Sequence, residues 1–375
     1  MQDNSSTDHN ISLAYASKIM DDCFECHKCV RNCSYLEKYC DSPKDLAEQF
    51  QHPVQDQLDI PYLCNVCGLC KTICPKDLDI GALCMEARQQ LVRLGMGPLP
   101  QHGSVRTNQK WGTSKHFTLS LPDVATGKCK RVFFPGCCLP GYSPFLTVST
   151  YNYLRKCLPD TGIVLNCCGT PTYLIGDLKG FKTIFNAAVK QIRDMGAEEI
   201  IFACPDCFHT FKNFVHDMKL TTVYQIMAEK GIPDPVVKAG NRAFSIHDSC
   251  ITRHESDLQE SVRYLIKSIG YGIEELDCSR EKTRCCGAGG MIATVDPEFF
   301  MKVVKERGNE SPYDYVTYCA GCRLTFAFAE KPVLHVLDLF FRTDLDKWRL
   351  KPPPNPFAKW WNRLRLKKTF QRMKA

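Results

Sequence analysis

No stretch of this chain runs to about 18 uninterrupted apolar residues, the length a membrane-spanning helix needs, so nothing in it reads as a span. The opening MQDNSSTDHN lacks a basic start followed by an apolar run. No secretory leader is therefore expected, and the reducing cytosol is the expected compartment. A G-x-G-x-x-G turn in a strand-to-helix setting is also missing, which assigns any flavin or nicotinamide to another chain. Acidic residues are absent from the last stretch, KPPPNPFAKWWNRLRLKKTFQRMKA, which holds eight Lys and Arg. Of the formal +7, the part before this tail carries −1. The basic character thus belongs to the tail, and with no recognisable binding motif beside it, nucleic acid is not an expected partner. Phe357, Trp360, Trp361 and Leu364 lie among those charges. They fit three settings equally: the surface of an anionic membrane, a partner subunit, or solvent.

What the chain has in excess is cysteine, 24 in 375 residues with 44% hydrophobic content. That length buries a proper core and suits two or three domains. Reducing conditions would not pair so many thiols as disulfides, so metal ligation is the leading explanation. The cysteines fall into three blocks. The first holds CFECHKCVRNC (Cys23, Cys26, Cys29, Cys33) and CNVCGLCKTICP (Cys64, Cys67, Cys70, Cys74). Both follow the C-x2-C-x2-C-x3-C spacing of cubane [4Fe-4S] sites, in which the fourth cysteine ligates the other cluster. The expected sets are Cys23, Cys26, Cys29 and Cys74 for one cluster, and Cys64, Cys67, Cys70 and Cys33 for its neighbour. Zinc is the alternative, but it takes two CxxC pairs more readily than four-cysteine runs used twice. Between and after the runs, Leu46, Ala47 and Phe50, then Leu83, Ala87 and Leu91, recur at helical intervals, with Ser42–Pro43 as a start and Gly95 as a stop. Residues 1–95 are therefore expected to form an α-helical ferredoxin-like module, with Cys40 and Cys84 as ordinary buried thiols.

Residues 96–127, rich in Gly, Pro and polar side chains, read as a linker. After them a repeat aligns by hand. RVFFPGCC, IVLNCCGTP, EIIFACPDC and TVYQIMAEKG are followed in the same order by AFSIHDSC, KTRCCGAGG, YVTYCAGC and VLHVLDLFF. Most of these elements end short apolar, β-branched runs, and helical stretches such as GFKTIFNAAVKQIRDMG fill the gaps. Strand, loop and helix alternate, so a duplicated α/β domain is expected, residues 128–240 and 241–345, with a basic tail over 346–375. In an open sheet of this kind ligands collect at the carboxyl ends of the strands. Each copy brings five thiols to that edge, more than one zinc or one cubane cluster needs.

These residues resemble the cysteine-rich, CCG-motif iron–sulfur proteins typified by the catalytic subunit of heterodisulfide reductase. The likeness covers residues from about 15 to 342 and fits a fused form with the dicluster module in front. It implies a noncubane [4Fe-4S] cluster in each copy, held by Cys137, Cys167, Cys168, Cys204 and Cys207 in the first and by Cys250, Cys285, Cys286, Cys319 and Cys322 in the second. The pattern of a cysteine directly after Pro-Gly favours Cys137 over Cys138. Gly169 and Gly287 would let backbone approach the sulfides. Cys129, Cys157 and Cys278 lack partner spacing and read as structural thiols.

His247 and His209 stand near the proposed clusters and are candidates for proton transfer, against the blander role of bonding backbone. Asp206 is a candidate for tuning cluster charge, against that of a solvated loop aspartate. Three functions remain open on these residues. One is a redox subunit that reduces a disulfide, or oxidises two thiols, at paired noncubane clusters fed by the cubane pair. Another is an electron-transfer subunit for a flavin dehydrogenase of glycerol-3-phosphate, glycolate or lactate type, or for a quinone-reactive complex. The third is a zinc-stabilised scaffold, which ten repeated cysteines disfavour. Expected partners are a flavoprotein, a cytochrome b or a hydrogenase-like subunit. The expected location is cytoplasmic, with the tail allowing a peripheral position on the inner face of the membrane.

Overall fold

The computed structural model describes residues 12–233 and 242–374. The N-terminal MQDNSSTDHN and the repeat boundary expected between residues 240 and 241 lie outside the described residues. The chain forms two compact units. One comprises residues 1–104 with the short segments 171–178 and 287–303, and the other holds the remainder.

The first unit is helical, and among the described residues no strand precedes Leu119. Ser42 caps the helix Pro43–Gln51 in a capping box with Asp45, and Leu46, Ala47 and Phe50 are buried on one face. Asp79 caps Ile80–Arg93, which buries Leu83, Ala87 and Leu91 and stops before Gly95 in the left-handed region. The two segments that join this unit, 171–178 and 287–303, begin at or just after the two CCG motifs.

The second unit contains two sheets. Strands β1 (Leu119–Leu121), β2 (Arg131–Phe134), β3 (Thr161–Leu165), β4 (Glu199–Phe202) and β5 (Lys219–Thr222) lie in the order β1-β3-β2-β4-β5, all parallel except β1. Strands β6 (Ala243–His247), β7 (Gly272–Glu274), β8 (Tyr315–Thr317) and β9 (Val333–His335) lie in the order β7-β6-β8-β9, all parallel. Leaving out β1, the second order repeats the first, so the duplicated α/β fold is present in both halves. β2, β3 and β4 read as near-continuous apolar runs because helices cover a parallel sheet on both faces. The two halves also make the same contact twice: Val223–Lys230 packs on Ser256–Ser268, and Val336–Phe341 packs on Pro144–Cys157.

Two segments differ from the expectation. Residues 96–127 are more than a linker, since they carry the helix Gly103–Gly112 and the edge strand β1. The tail forms the helix Pro356–Lys374, which packs on Cys138–Tyr142 of its own unit. Leu366 and Phe370 are buried in the same core as the sheets, and Trp360 packs on Phe117 with ring centroids 4.6 Å apart. Among the described residues of that helix only Phe357 and Trp361, 78% and 51% exposed, keep a large apolar surface free. No helix among the described residues is long and apolar enough to cross a membrane.

Candidate metal centres

In the helical unit the last cysteine of each run lies near members of the other run. Cys23, Cys26, Cys29, Cys70 and Cys74 line one cavity. Burial pushes the Cys29 thiol up to about 11, with Cys23 and Cys74 adding to the rise. Cys33 is pushed up to about 12, again by burial first and then by Cys67 and Cys64. Cys70 rises for the same reason, with Cys67, Cys64 and Cys33 around it. Cys29 thus has Cys23 and Cys74 beside it, and Cys33, Cys64, Cys67 and Cys70 lie near one another, while Cys70 also borders the first cavity. Packed, desolvated thiols oppose one another's ionisation, and a cationic metal centre relieves that opposition by taking them as thiolates. The donor set fits an all-thiolate cluster.

In the other unit the cysteines gather where the parallel strands end. Cys137 follows β2, Cys167 and Cys168 follow β3, and Cys204 follows β4 and opens the helix Pro205–Phe214 that carries Cys207. Cys137 and Cys167 have their Sγ atoms 3.8 Å apart. Cys168 meets Cys167 and Cys207, and Cys204 meets Cys207, so the five form one chain of thiol contacts. Cys138 joins this chain through Cys137 and takes part in the short helix Cys138–Tyr142. Gly136 makes the approach possible. At φ +74° it needs the left-handed region, and a Cβ there would lie 3.0 Å from the Cys207 Sγ. Gly169 and Gly287 also have positive φ. A Cβ on Gly169, however, would meet Phe181 and Ile184 at 3.1 and 3.2 Å, so that glycine serves the turn and the helix behind it rather than room for sulfide.

The second copy repeats the pattern. Cys286 and Cys319 both meet Cys322. Cys285 is buried beside them in sequence, and Cys250 is half-buried at the start of the turn Cys250–Thr252 after β6. A ring nitrogen of His247 lies with the Sγ atoms of Cys286 and Cys322 in a group whose members are all within 4.8 Å of one another. His209 takes no such place: it is paired with Asn213 at 2.9 Å along its own helix.

The copies interlock at these turns. The Cys138–Tyr142 helix packs on Ala320–Phe328, the second CxxC helix, while the Cys250–Thr252 turn packs on Pro205–Phe214, the first. Asp206 sits at the junction, with its Oδ2 3.9 Å from the Sγ of both Cys204 and Cys319. Burial, and next the Cys285 thiol, raise its carboxyl to about 6. Tyr224 binds the two copies from behind, its hydroxyl hydrogen shared between the carbonyls of Ala203 at 3.0 Å and Tyr318 at 2.8 Å. Those carbonyls immediately precede Cys204 and Cys319.

Sequence reasoning passed over two further groups. Cys84, read as an ordinary thiol, contacts Cys64 and lies 3.5 Å from the Tyr35 hydroxyl. Arg88 is fully buried in the helical unit, donating from Nε to Pro61 O at 2.8 Å, from Nη1 to Leu174 O at 2.6 Å, and from Nη2 to Cys64 O at 2.6 Å. A charged residue in ARQQL reads as a solvated helix face. Nothing local reveals that the carbonyls it meets come from residues distant in sequence. Cys40, Cys129 and Cys157 donate to nearby backbone carbonyls.

Fold and thiol geometry together define an iron–sulfur redox protein with a dicluster module and a duplicated thiol-rich domain. A 4Fe-4S dicluster domain matches residues 22–79, and a cysteine-rich domain matches residues 131–212 and 244–327. The chain thus carries a 4Fe-4S dicluster domain followed by two CCG cysteine-rich domains. It is 24% identical to a subunit of the fumarate reductase (CoM/CoB) of Methanothermobacter marburgensis, over 80% of this chain and 66% of that one. It is also 24% identical to a subunit of the dihydromethanophenazine:CoB–CoM heterodisulfide reductase of Methanosarcina mazei, over 68% of this chain and 69% of that one. EtfAB:quinone oxidoreductase of Syntrophomonas wolfei is 22% identical over 64% of this chain and 37% of its own. The chain thus spans about two thirds of the first two relatives and far less of the third.

Proposed function

We propose that this chain is the iron–sulfur subunit of a complex that reduces a disulfide, or runs the reverse oxidation of two thiols. In this reading two cubane clusters are held by Cys23, Cys26, Cys29 and Cys74 and by Cys64, Cys67, Cys70 and Cys33. Two noncubane clusters are held by Cys137, Cys167, Cys168, Cys204 and Cys207 and by Cys250, Cys285, Cys286, Cys319 and Cys322. Such clusters supply one-electron redox chemistry when bound. Cys137 is preferred to Cys138 because it meets Cys167 directly. The observation that carries the proposal is the duplicated thiol set, with one carboxylate, Asp206, within 3.9 Å of a thiol from each copy.

Cleaving R–S–S–R′ to RSH and R′SH takes two electrons and two protons. The electrons come from a partner subunit, of flavoprotein, cytochrome b or hydrogenase-like type. Asp206, a buried carboxyl 3.9 Å from a thiol of each copy, is the group we propose to carry one of those protons. A second reading, an electron-transfer subunit for a flavin dehydrogenase or a quinone-reactive complex, is favoured by the similarity to EtfAB:quinone oxidoreductase.

Single replacements separate the two. Cys168→Ser and Cys286→Ser are each expected to abolish reduction of a panel of disulfides, coenzyme thiols included, by an artificial one-electron donor, while the cubane signals persist. Should the Cys286→Ser protein still pass electrons at the normal rate between a dehydrogenase and a quinone analogue, the electron-transfer reading takes its place.

A further inference from the structure

The two copies differ at one position beside the thiols. Three residues before Cys137, β2 ends on Phe134; three residues before Cys250, β6 ends on His247. Both side chains are fully buried. Phe134 lies 5.3 Å from Phe211, four residues past Cys207, and His247 lies 4.8 Å from Phe326, four residues past Cys322. The repeat therefore puts an imidazole in the second copy where the first has a phenyl ring.

The hydrogen of that imidazole is positioned by its other neighbour. Nε of Arg307 donates to Nδ1 of His247 at 3.3 Å. A guanidinium only donates, so Nδ1 must be the acceptor and the ring carries its hydrogen on Nε2. Arg307 is itself held in place, donating to Cys278 O at 2.9 Å, to Thr283 Oγ1 at 3.2 Å and to the Glu310 carboxylate. Nε2 is buried with no hydrogen-bond partner among the described residues. An unsatisfied buried donor is costly, so the site calls for an acceptor. The sulfurs of Cys286 and Cys322 are grouped with this ring.

We propose that His247 is a positioning residue that donates an Nε2–H···S hydrogen bond to a thiolate of the second noncubane site, making that site easier to reduce than the first. The inference rests on the cluster assignment proposed above. A hydrogen bond to a ligating sulfur stabilises the more negative, reduced state. Phe134 offers none, so two sites of matching thiol composition acquire different potentials. The first electron to arrive settles on the second copy, and a bound disulfide meets two unlike halves.

The test uses full-length, anaerobically prepared holoprotein, with iron analysis and an EPR-monitored redox titration. His247→Phe introduces the ring that the first copy already accommodates. It is expected to keep its iron while the second-site wave moves negative, so that at the wild-type midpoint the site's reduced-to-oxidised ratio falls at least tenfold, 59 mV for one electron. His247→Gln, whose amide N–H takes the place of Nε2–H, is expected to titrate close to wild type. Full iron with an unmoved wave in His247→Phe overturns the proposal, as does a His247→Gln wave at the His247→Phe position. If His247→Phe loses the second-site iron, its retention in His247→Gln supports the donor role and its loss in both overturns it. Wild-type protein with only about eight irons would instead defeat the cluster assignment itself.

Discussion

Burial decides the chemistry of single residues here more than sequence neighbours do. His335 ends β9 and caps the helix Val336–Phe341, its Nδ1 accepting from the Leu337 backbone N–H at 3.2 Å. Complete burial lowers it from 6.5 to about 4, with the Arg323 and Arg342 charges adding and Asp338 opposing. The folded state therefore refuses a proton that the unfolded chain accepts. Below about pH 6.5 the unfolded state binds more protons, so stability falls as pH drops towards 4, by up to about 3 kcal/mol from this group. His335→Asn keeps a capping side chain and removes the titration. Anaerobic unfolding from pH 7 to pH 5 should show a shallower loss in that variant, and an unchanged slope would place the acid sensitivity elsewhere. Asp206 and His247 teach the same lesson at the thiols. Their positions were readable from CPDC and HDSC, but their partners come from other strands and helices.

At the scale of elements, the tail shows how composition misleads. Eight basic residues without an acid read as a surface segment, yet the helix Pro356–Lys374 inserts Leu366 and Phe370 into the core of the α/β unit. Its charges hide the docking because only a narrow apolar stripe is needed against a prepared surface. Phe370→Ala should lower stability by about 3–5 kcal/mol through the cavity it leaves. Phe357→Ser, on the exposed side, should stay within about 0.5 kcal/mol. Thermal unfolding of the two proteins compares them directly, and equal effects would mean that the helix does not dock. Residues 96–127 escaped detection for a related reason. β1 is only three residues long and takes its strand character from antiparallel pairing with β3, a non-local contact that propensity does not register.

For the whole molecule, the four clusters proposed per chain predict about sixteen irons in anaerobically purified protein. Iron near eight would remove the noncubane pair from the account, and stoichiometric zinc would remove the cubane pair. The proposed exchange of fourth ligands has its own signature. Cys33→Ser should perturb the cluster of Cys64, Cys67 and Cys70 and spare that of Cys23, Cys26 and Cys29, as read by EPR of the two cubane signals. The opposite pattern would show that each run closes on itself, against the side-by-side placement of Cys33 with Cys64 and Cys67.

The spacing of the cysteines, the order of strand and helix and the duplication were decided by the sequence alone. A thiolate cradle needs a short loop of fixed length, and strand and helix periods are local. What only the tertiary structure decided is who meets whom across the repeats. Asp206 stands between two CxxC turns, Tyr224 ties the strand ends before them, and Arg88 gathers the carbonyls of Pro61, Cys64 and the distant Leu174. Each of those polar groups is buried, and a buried polar group must find its partner wherever the fold brings one. That search runs through space and leaves no period or spacing in the chain.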